Sequence, residues 1–233
     1  MNYHGGKQRV GKDIAGIINN ILLQNEGCID AYIEPFCGML GVYKHIDIYP
    51  NLEYLLGDIQ GNVIEMCKAF QRGWMPTENL ENKETYIKIR NIKNDTKEKG
   101  FYGFFNTYRG SFFDTFNYQD NNQFNRIIEK AKKIIDMNPN AVFTKGDYTQ
   151  FSNKKGCIFY CDPPYENTNC KYLEKFDSEK FYNWCIKMSK TNLVFVSSYN
   201  VPDKLKWIIV YERTIKLPGT VKKPRIEKLY LVK

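Results

Sequence analysis

Two histidines, His4 and His45, are all that the 233 residues contain. With so few imidazoles, a metal centre would have to rest on cysteine and carboxylate ligands. The seven cysteines include no Cys-x-x-Cys spacing, the pattern that closes a structural zinc site. Cys157 and Cys161 are four apart in a stretch that reads as a strand, which is poor geometry for one ion, so no metal is expected. An odd number of cysteines suits no disulfide framework, and reduced thiols in a cytoplasmic protein are expected instead. There is no run of eighteen apolar residues, and no basic segment leads into a long apolar one near the N-terminus. Neither a membrane span nor an export signal is therefore expected. No internal repeat is evident.

What is present is apolar material for a core and a surplus of positive charge. Hydrophobic residues make up 42% of the chain and aromatics 15%. Disorder by composition is excluded, and some rings are left for surfaces that stack on flat ligands. The formal charge is +8 and the pI about 9.0, which suits an anionic partner without identifying one. The length allows one substantial domain with an insertion, or two small domains.

Ile14, Ile17, Ile18, Ile21 and Leu22 fall at helical spacing and predict a helix over about 13–23. Ala31-Tyr32-Ile33 then reads as a strand closed by the turn Glu34-Pro35-Phe36-Cys37-Gly38. A short helix is expected from Val42 to His45, a buried strand from Tyr54 to Asp58, and a helix from Val63 to Phe70. This alternation is the order of a parallel sheet with crossover helices. From residue 73 the character changes. Charged and amide residues fill Glu78 to Lys99, and an aromatic cluster runs from Phe101 to Tyr118, interrupted by Asn106, Arg109 and Gly110. A helix over Phe124 to Ile135 follows. The sheet pattern resumes with Ala141 to Phe143, Gly156 to Cys161 and Asn192 to Ser198, with a helix over Phe176 to Lys187. Trp207 to Tyr211 and Lys228 to Val232 alternate as a closing antiparallel pair does. The expected architecture is an α/β sheet built from 1–72 and 136–233, with 73–135 inserted as a lobe of short helices and a hairpin.

Three acids, Asp58, Asp147 and Asp162, stand at predicted strand ends. In an open parallel sheet, ligands bind beyond those ends, and an acid after the second strand commonly holds ribose hydroxyls. A lone Asp there would read as a cap or turn residue; three in register with a glycine turn favour a site. Asp162-Pro163-Pro164-Tyr165 is more specific. Two prolines directly after an apolar strand remove two backbone donors and fix the chain direction. The preceding carbonyls and the Asp162 carboxylate form a rigid set of acceptors, with a ring beyond them to stack on a flat base. An exocyclic amine needs such a site, because acceptors drawing on its hydrogens localise a lone pair otherwise delocalised into the ring.

Asp162 to Tyr165 resembles the DPPY motif of amino-methylating DNA methyltransferases. Its context resembles the Dam-type (D12 class) adenine-N6 family over most of the chain outside the insert. Tyr3-His4-Gly5-Gly6-Lys7 is similar to the family's N-terminal aromatic-x-Gly-Gly-Lys motif, so Tyr3, Gly6 and Lys7 are implied cofactor contacts. Glu34, Phe36 and Gly38 lie in the stretch similar to its first cofactor loop. Asp58 resembles its ribose-binding acid, and Asp147 and Tyr148 a segment near the cofactor adenine. Asp162 would touch both the target amine and the methionine end of the cofactor, with Pro163, Pro164 and Tyr165 completing the catalytic motif. The order of motifs is that of the α group, whose insert reads the DNA sequence. The resemblance thus implies a Rossmann-like S-adenosylmethionine-dependent methyltransferase sheet with an inserted, mostly helical DNA-recognition lobe. It implies site-specific methylation of adenine N6 in double-stranded DNA, with base flipping and S-adenosylhomocysteine as product, an activity typical of restriction–modification systems.

Two departures stand out. The family loop reads Phe-x-Gly-x-Gly, whereas here Leu40 takes the place of the second glycine and Gly41 follows. The family's Asn-rich hairpin is only partly matched by Asn106 to Tyr118. Asn106 and Arg109 are the insert's candidates for DNA contact, while most of its aromatics are expected to form the lobe's own small core. Lys222, Lys223 and Arg225 make a second basic cluster, either a phosphate contact or a solvated loop. Gly6 to Asp13 reads Gly-x-x-x-x-Gly-Lys-Asp, but Asp13 replaces the magnesium-holding hydroxyl of a P-loop and no strand precedes it. Asp13 reads instead as a first-turn helix acid. Alternatives are another acceptor, namely cytosine N4, RNA or a protein glutamine, or an inactive DNA-binding homologue.

Overall fold

The computed structural model describes residues 6, 7, 9–164, 176–215 and 225–233, with all their side chains except those of residues 109, 134 and 135. Among the described residues are seven strands: β1 (Ala31–Glu34), β2 (Glu53–Asp58), β3 (Val142–Lys145), β4 (Ile158–Cys161), β5 (Leu193–Ser198), β6 (Ile208–Ile215) and β7 (Arg225–Leu231). They form one sheet in the order β3-β2-β1-β4-β5-β7-β6. The first five are parallel, and β7 enters antiparallel between β5 and β6. This is the Rossmann-like α/β sheet expected from the sequence, with its closing antiparallel pair.

The sheet is covered on both faces, which is why β1 and β4 are buried at every position. Side chains alternate across it. Tyr32, Leu56, Tyr160, Phe195 and Leu229 face one apolar layer, and Ile33, Leu55, Phe159, Val194 and Tyr230 the other. The first layer holds α1 (Gly11–Gln24) and α2 (Gly61–Gln71); the second holds α6 (Ser178–Ser189). α1 lays Ile14, Ala15, Ile18 and Leu22 against the sheet, the stripe read from its spacing. The helix expected from Val42 to His45 is only a 3-10 turn at Tyr43–His45. It is clamped by the Asn19 amide, whose Nδ2 donates to the His45 carbonyl at 3.0 Å and whose Oδ1 accepts from Asp47 N at 3.0 Å.

Between α2 and β3 come α3 (Lys83–Arg90), α4 (Lys97–Phe105) and α5 (Asn121–Asp136). Asn82 and Thr96 start α3 and α4 by accepting backbone N–H bonds at 2.9 and 3.1 Å. Residues 106–117 turn back on themselves: Asn117 N donates to the Asn106 carbonyl and Tyr108 N to the Thr115 carbonyl, both at 2.9 Å. One expectation is sharpened here. The aromatics of this segment do pack on one another, Phe101 on Phe105 and Phe124 and Phe104 on Phe112, but the core they form is not closed off from the rest. Phe101, Phe104, Phe105, Phe113 and Phe124 belong to the same apolar layer as Ile14, Ile18 and Val63. Phe101 reaches Phe70 of α2 and Trp74 at ring separations of 6.3 and 6.5 Å.

That union needs α4 and α2 to touch backbone to backbone, and Gly100 permits it. A Cβ there would lie 2.1 Å from the Asn62 carbonyl oxygen. Asn62 Oδ1 also accepts from Thr96 N at 3.0 Å, tying the cap of α4 to α2. Gly100→Ala is expected to cost about 2–3 kcal/mol in urea unfolding, because backbone cannot yield as a side-chain tip does. Gly16→Ala, on the exposed side of α1 with nothing within 4 Å, is the control. It should gain about 0.5–1 kcal/mol in the same measurement.

Candidate active site

The sheet reverses its strand order between β1 and β4, and both are parallel to β2 on the far side of β1. The carboxyl ends of these strands therefore open at one edge, and the loop after β1 emerges at the switch point, where α/β sheets bind ligands. Asp58 closes β2 on one side of that loop, and Asp162 follows β4 on the other.

Asp58 organises the loop. Its Oδ2 accepts from Gly38 N and its Oδ1 from Gln60 N, both at 2.8 Å. Burial raises its carboxyl above the ordinary range, opposed by backbone donors at Gln60, Gly38 and Ile59. Gly38 has φ +44°, and Cys37 N donates to the Gly57 carbonyl at 2.8 Å. Leu40, at the family's glycine position, itself adopts φ +56° and is buried. Gly41 is where the absence of a side chain is used. A Cβ there would press on Lys7, 3.1 Å from its backbone nitrogen, and the Gly41 carbonyl lies where a Cβ on Gly11 would be, at 2.3 Å. The displaced glycine thus lets the segment before α1 lie against the loop.

Lys7 leaves that segment buried, and its Nζ meets Asp162 Oδ1 at 2.5 Å and Glu227 Oε1 of β7 at 3.3 Å. Its side chain is 5% exposed, that of Glu227 3% and that of Asp162 19%, so the pair points its accessible side at Asp162. Burial alone would lower the Lys7 pKa; Asp162 and Glu227 outweigh it and hold the ammonium above its ordinary value. Pro163 is buried and Pro164 half-buried beside them. Behind this cluster, Tyr32 donates to Glu34 Oε1 at 2.6 Å, and the hydroxyls of Tyr160 and Ser197 share a bond of 2.9 Å. Burial pushes the Glu34 carboxyl up to about 8, against the hydrogen bond from Tyr32; the Asp162 charge adds to the rise, and a backbone bond from Tyr43 opposes it.

The remaining expected residues fall in several places. Gly6 adjoins Lys7. Phe36 and Tyr148 pack together, ring centroids 5.7 Å apart, and Tyr148 also meets Phe181 and Trp184 in the layer under α6. Asp147 is exposed and caps the 3-10 turn Tyr148–Phe151 by accepting from Thr149 N at 2.9 Å. Arg225 opens β7 with its guanidinium 5.2 Å from the Tyr199 ring. Asn106, expected to contact DNA, is instead fully buried with both amide atoms unpartnered, so its surroundings keep it from any surface. Tyr3, Tyr165, Lys222, Lys223 and the side chain of Arg109 lie outside the described residues.

Sequence reading missed Glu227. The signal was an acid in register with Leu229 on the inward side of an alternating strand. It also missed a cavity of about 400 Å³ on the insert, edged by Gln119, Gln123, Arg126 and Lys130 over Phe104 and Phe105. That cavity shares no residue with the strand-end cluster. Among the described residues, no group of three His, Cys, Asp or Glu is placed to hold a metal, and no helix is long and apolar enough to cross a membrane.

No protein-family model matches the chain, and no curated protein matches it. Several solved structures share a general likeness. Magnesium protoporphyrin IX methyltransferase (ChlM) from Synechocystis PCC 6803, with bound SAH, is 8% identical over 97% of this chain and 86% of its own, at a TM-score of 0.40. The protein 1320 of Thermoplasma acidophilum is 10% identical over 98% of this chain and 97% of its own, at a TM-score of 0.39. TrmN from Thermus thermophilus is 10% identical over 97% of this chain and 53% of its own, at a TM-score of 0.36. Likeness at this level assigns no activity.

Two outcomes follow from the buried groups. Leu40→Gly relieves left-handed strain of about 1–2 kcal/mol but empties a buried leucine site worth about 3–5 kcal/mol. The variant should therefore be less stable in urea, although it restores the family glycine. Glu34 ionises near 4.5 when unfolded and about 8 when folded. Between those values only the unfolded chain releases its proton, so this contribution to stability is full below 4.5 and is lost as pH rises toward 8. Glu34→Gln removes the loss. Urea unfolding should show the variant gaining on the parent between about pH 5 and pH 8; a constant difference would contradict it.

Proposed function

We propose that this chain is an S-adenosylmethionine-dependent methyltransferase acting on adenine N6 of double-stranded DNA. The observation that carries the reading is the Asp162 carboxylate. It is fixed by buried Lys7 and followed by Pro163-Pro164, at the switch point and across β1 from the Asp58–Gly38 loop. The donor set fits the cofactor. The two Asp58 oxygens accept backbone bonds from Gly38 and Gln60, and a carboxylate has about four lone-pair sites, which suits vicinal ribose hydroxyls. The carboxylates at the β4 side suit a cation. When bound, the cofactor supplies an activated methyl on a sulfonium.

The chain's own residues do the rest. Lys7 holds Asp162 Oδ1 and orients the carboxylate, which accepts an N–H of the exocyclic amine. That bond, with one to the Pro163 carbonyl, draws the nitrogen lone pair out of conjugation and toward the methyl. Asp162 also stabilises the positive charge that develops on the nitrogen. Rate then comes from position and fixed charge. A duplex hides this amine, so the base is extruded at a few kcal/mol of unstacking. The formal charge of +8 and the groove edged by Arg126 and Lys130 support a polyanionic partner.

The test is transfer of labelled methyl from S-adenosylmethionine to unmethylated duplex DNA, followed by nucleoside analysis. N6-methyladenine is expected, and Asp162→Ala should lose at least about a hundredfold in rate. Near-normal turnover by that variant would refute the role of Asp162, and label in N4-methylcytosine or only in RNA would refute the acceptor.

A further inference from the structure

The cavity on the insert has no part in the strand-end chemistry, and its walls differ in kind. α5 supplies one wall. Gln123, Arg126, Ile127 and Lys130 recur at the i, i+3, i+4, i+7 spacing of a single helix face, and all four line the cavity. Phe124 and Ala131 on the adjoining face are buried in the common apolar layer, which fixes the rotation of the helix. The facing wall is the end of α4, with Phe104 and Phe105, and the hairpin that follows it. That hairpin is held by the bond from Asn117 N to the Asn106 carbonyl and by the bridge between Thr107 and Phe116. The space of about 400 Å³ is that of a small-molecule site and is larger than a lone inorganic anion fills.

Three features of the lining converge. Arg126 and Lys130 bring two cations to one side. Among the described residues no acid lines the cavity and neither cation takes part in an ion pair. Lys44 adds to the positive field, since burial and then the Lys130 charge hold its ammonium below the ordinary value. Phe104 and Phe105 are 4% and 5% exposed, so they form an apolar floor. Gln123 is held in one orientation by a reciprocal cap at the start of α5. Its Oε1 accepts from Asp120 N at 3.3 Å, and its own N donates to Asp120 Oδ1 at 2.8 Å. The Nε2 hydrogens of Gln123 remain to donate to a ligand.

We propose that this cavity holds one nucleotide unit, with its base over Phe104 and Phe105, its phosphate at Arg126 and Lys130, and an acceptor on the base edge bonded by Gln123. Phosphate alone would leave the apolar floor unused, and an apolar ligand would cover two cations without a counter-charge. A flat, hydrogen-bonding ring joined to an anion satisfies every part of the lining. Such a unit is either one nucleotide of a DNA strand or a free nucleotide, and the recognising chemistry is the same. It is a different nucleotide from the one presented to Asp162, because the two sites share no residue. The inference therefore goes beyond the methyltransferase reading and does not require it.

The experiment is isothermal titration of the whole chain, without methyl donor. The probes are the four 2′-deoxynucleoside 5′-monophosphates, the matching nucleosides, inorganic phosphate and a short single-stranded oligodeoxynucleotide of mixed sequence. At least one monophosphate should bind about tenfold or more tightly than its nucleoside and than phosphate. Arg126→Gln combined with Lys130→Gln, both on exposed positions of α5, should weaken that binding about tenfold or more. Gln123→Glu keeps the oxygen that caps α5 but removes the donor, so it should weaken binding while urea unfolding shows no loss of stability. Phosphate binding as tightly as every monophosphate would overturn the inference. So would variants that bind like the parent, or a parent that binds neither monophosphate nor oligonucleotide. An oligonucleotide that binds more tightly and displaces the monophosphate upholds the site and assigns it to a strand. A monophosphate that binds more tightly upholds it as a site for free nucleotide. Because no step uses the methyl donor, each result is separable from the fate of the methyltransferase reading.

Discussion

The buried ammonium of Lys7 is the constraint on which the candidate site depends. A charged amine out of water is tolerable only where carboxylates and close geometry compensate it. Asp162 arrives at the end of β4, Glu227 from the antiparallel strand β7, and Lys7 from the segment before α1. Three parts of the chain more than 60 residues apart must be in place before that charge is satisfied. The glycine at 41 exists in this setting to let the Lys7 backbone approach, and Gly11 seats the first turn of α1 on the same loop. The cluster is therefore a fold-defining contact as well as a chemical one.

The electrostatics around it divide by depth. Glu34, farther in, is kept neutral by burial and accepts from Tyr32. Asp58, nearer the loop, is raised by burial but drawn back by three backbone donors. Two acids at neighbouring strand ends thus do different work: one fills the interior as a neutral acceptor, the other folds a loop around its oxygens.

Much of this was legible in the sequence because strand ends and turn residues announce themselves locally. The apolar runs at 31–33 and 54–58, closed by Pro35 and Asp58, and the run at 192–198, ending in Ser197-Ser198, sit in β1, β2 and β5. The period of α1 marked its buried face correctly. What was not legible is non-local. Nothing near Glu227 tells that its partner is Lys7, since the pairing depends on which strand β7 joins. Asn106 looked like a surface amide because polarity is a local cue, while its burial is imposed by the hairpin from 106 to 117 closing over it. Val42 to His45 carried too few residues to sustain a full helix and tightened into a 3-10 turn instead. The aromatics from Phe101 on do cluster locally, but Phe101 also joins them to Phe70 of α2, a contact that local sequence does not announce.

That last feature bears on how such a chain can diversify. Where an inserted segment has its own interior, it can be exchanged between relatives as a cassette cut at its two ends. Here the cut would pass through packed groups, because Phe101 lies against Phe70 and Gly100 against the Asn62 carbonyl. A graft that preserves packing must carry α2 along with the insert. A change of the recognition surface by recombination would then also move the helix that follows Asp58, so the two halves of the molecule are bound to drift together in evolution.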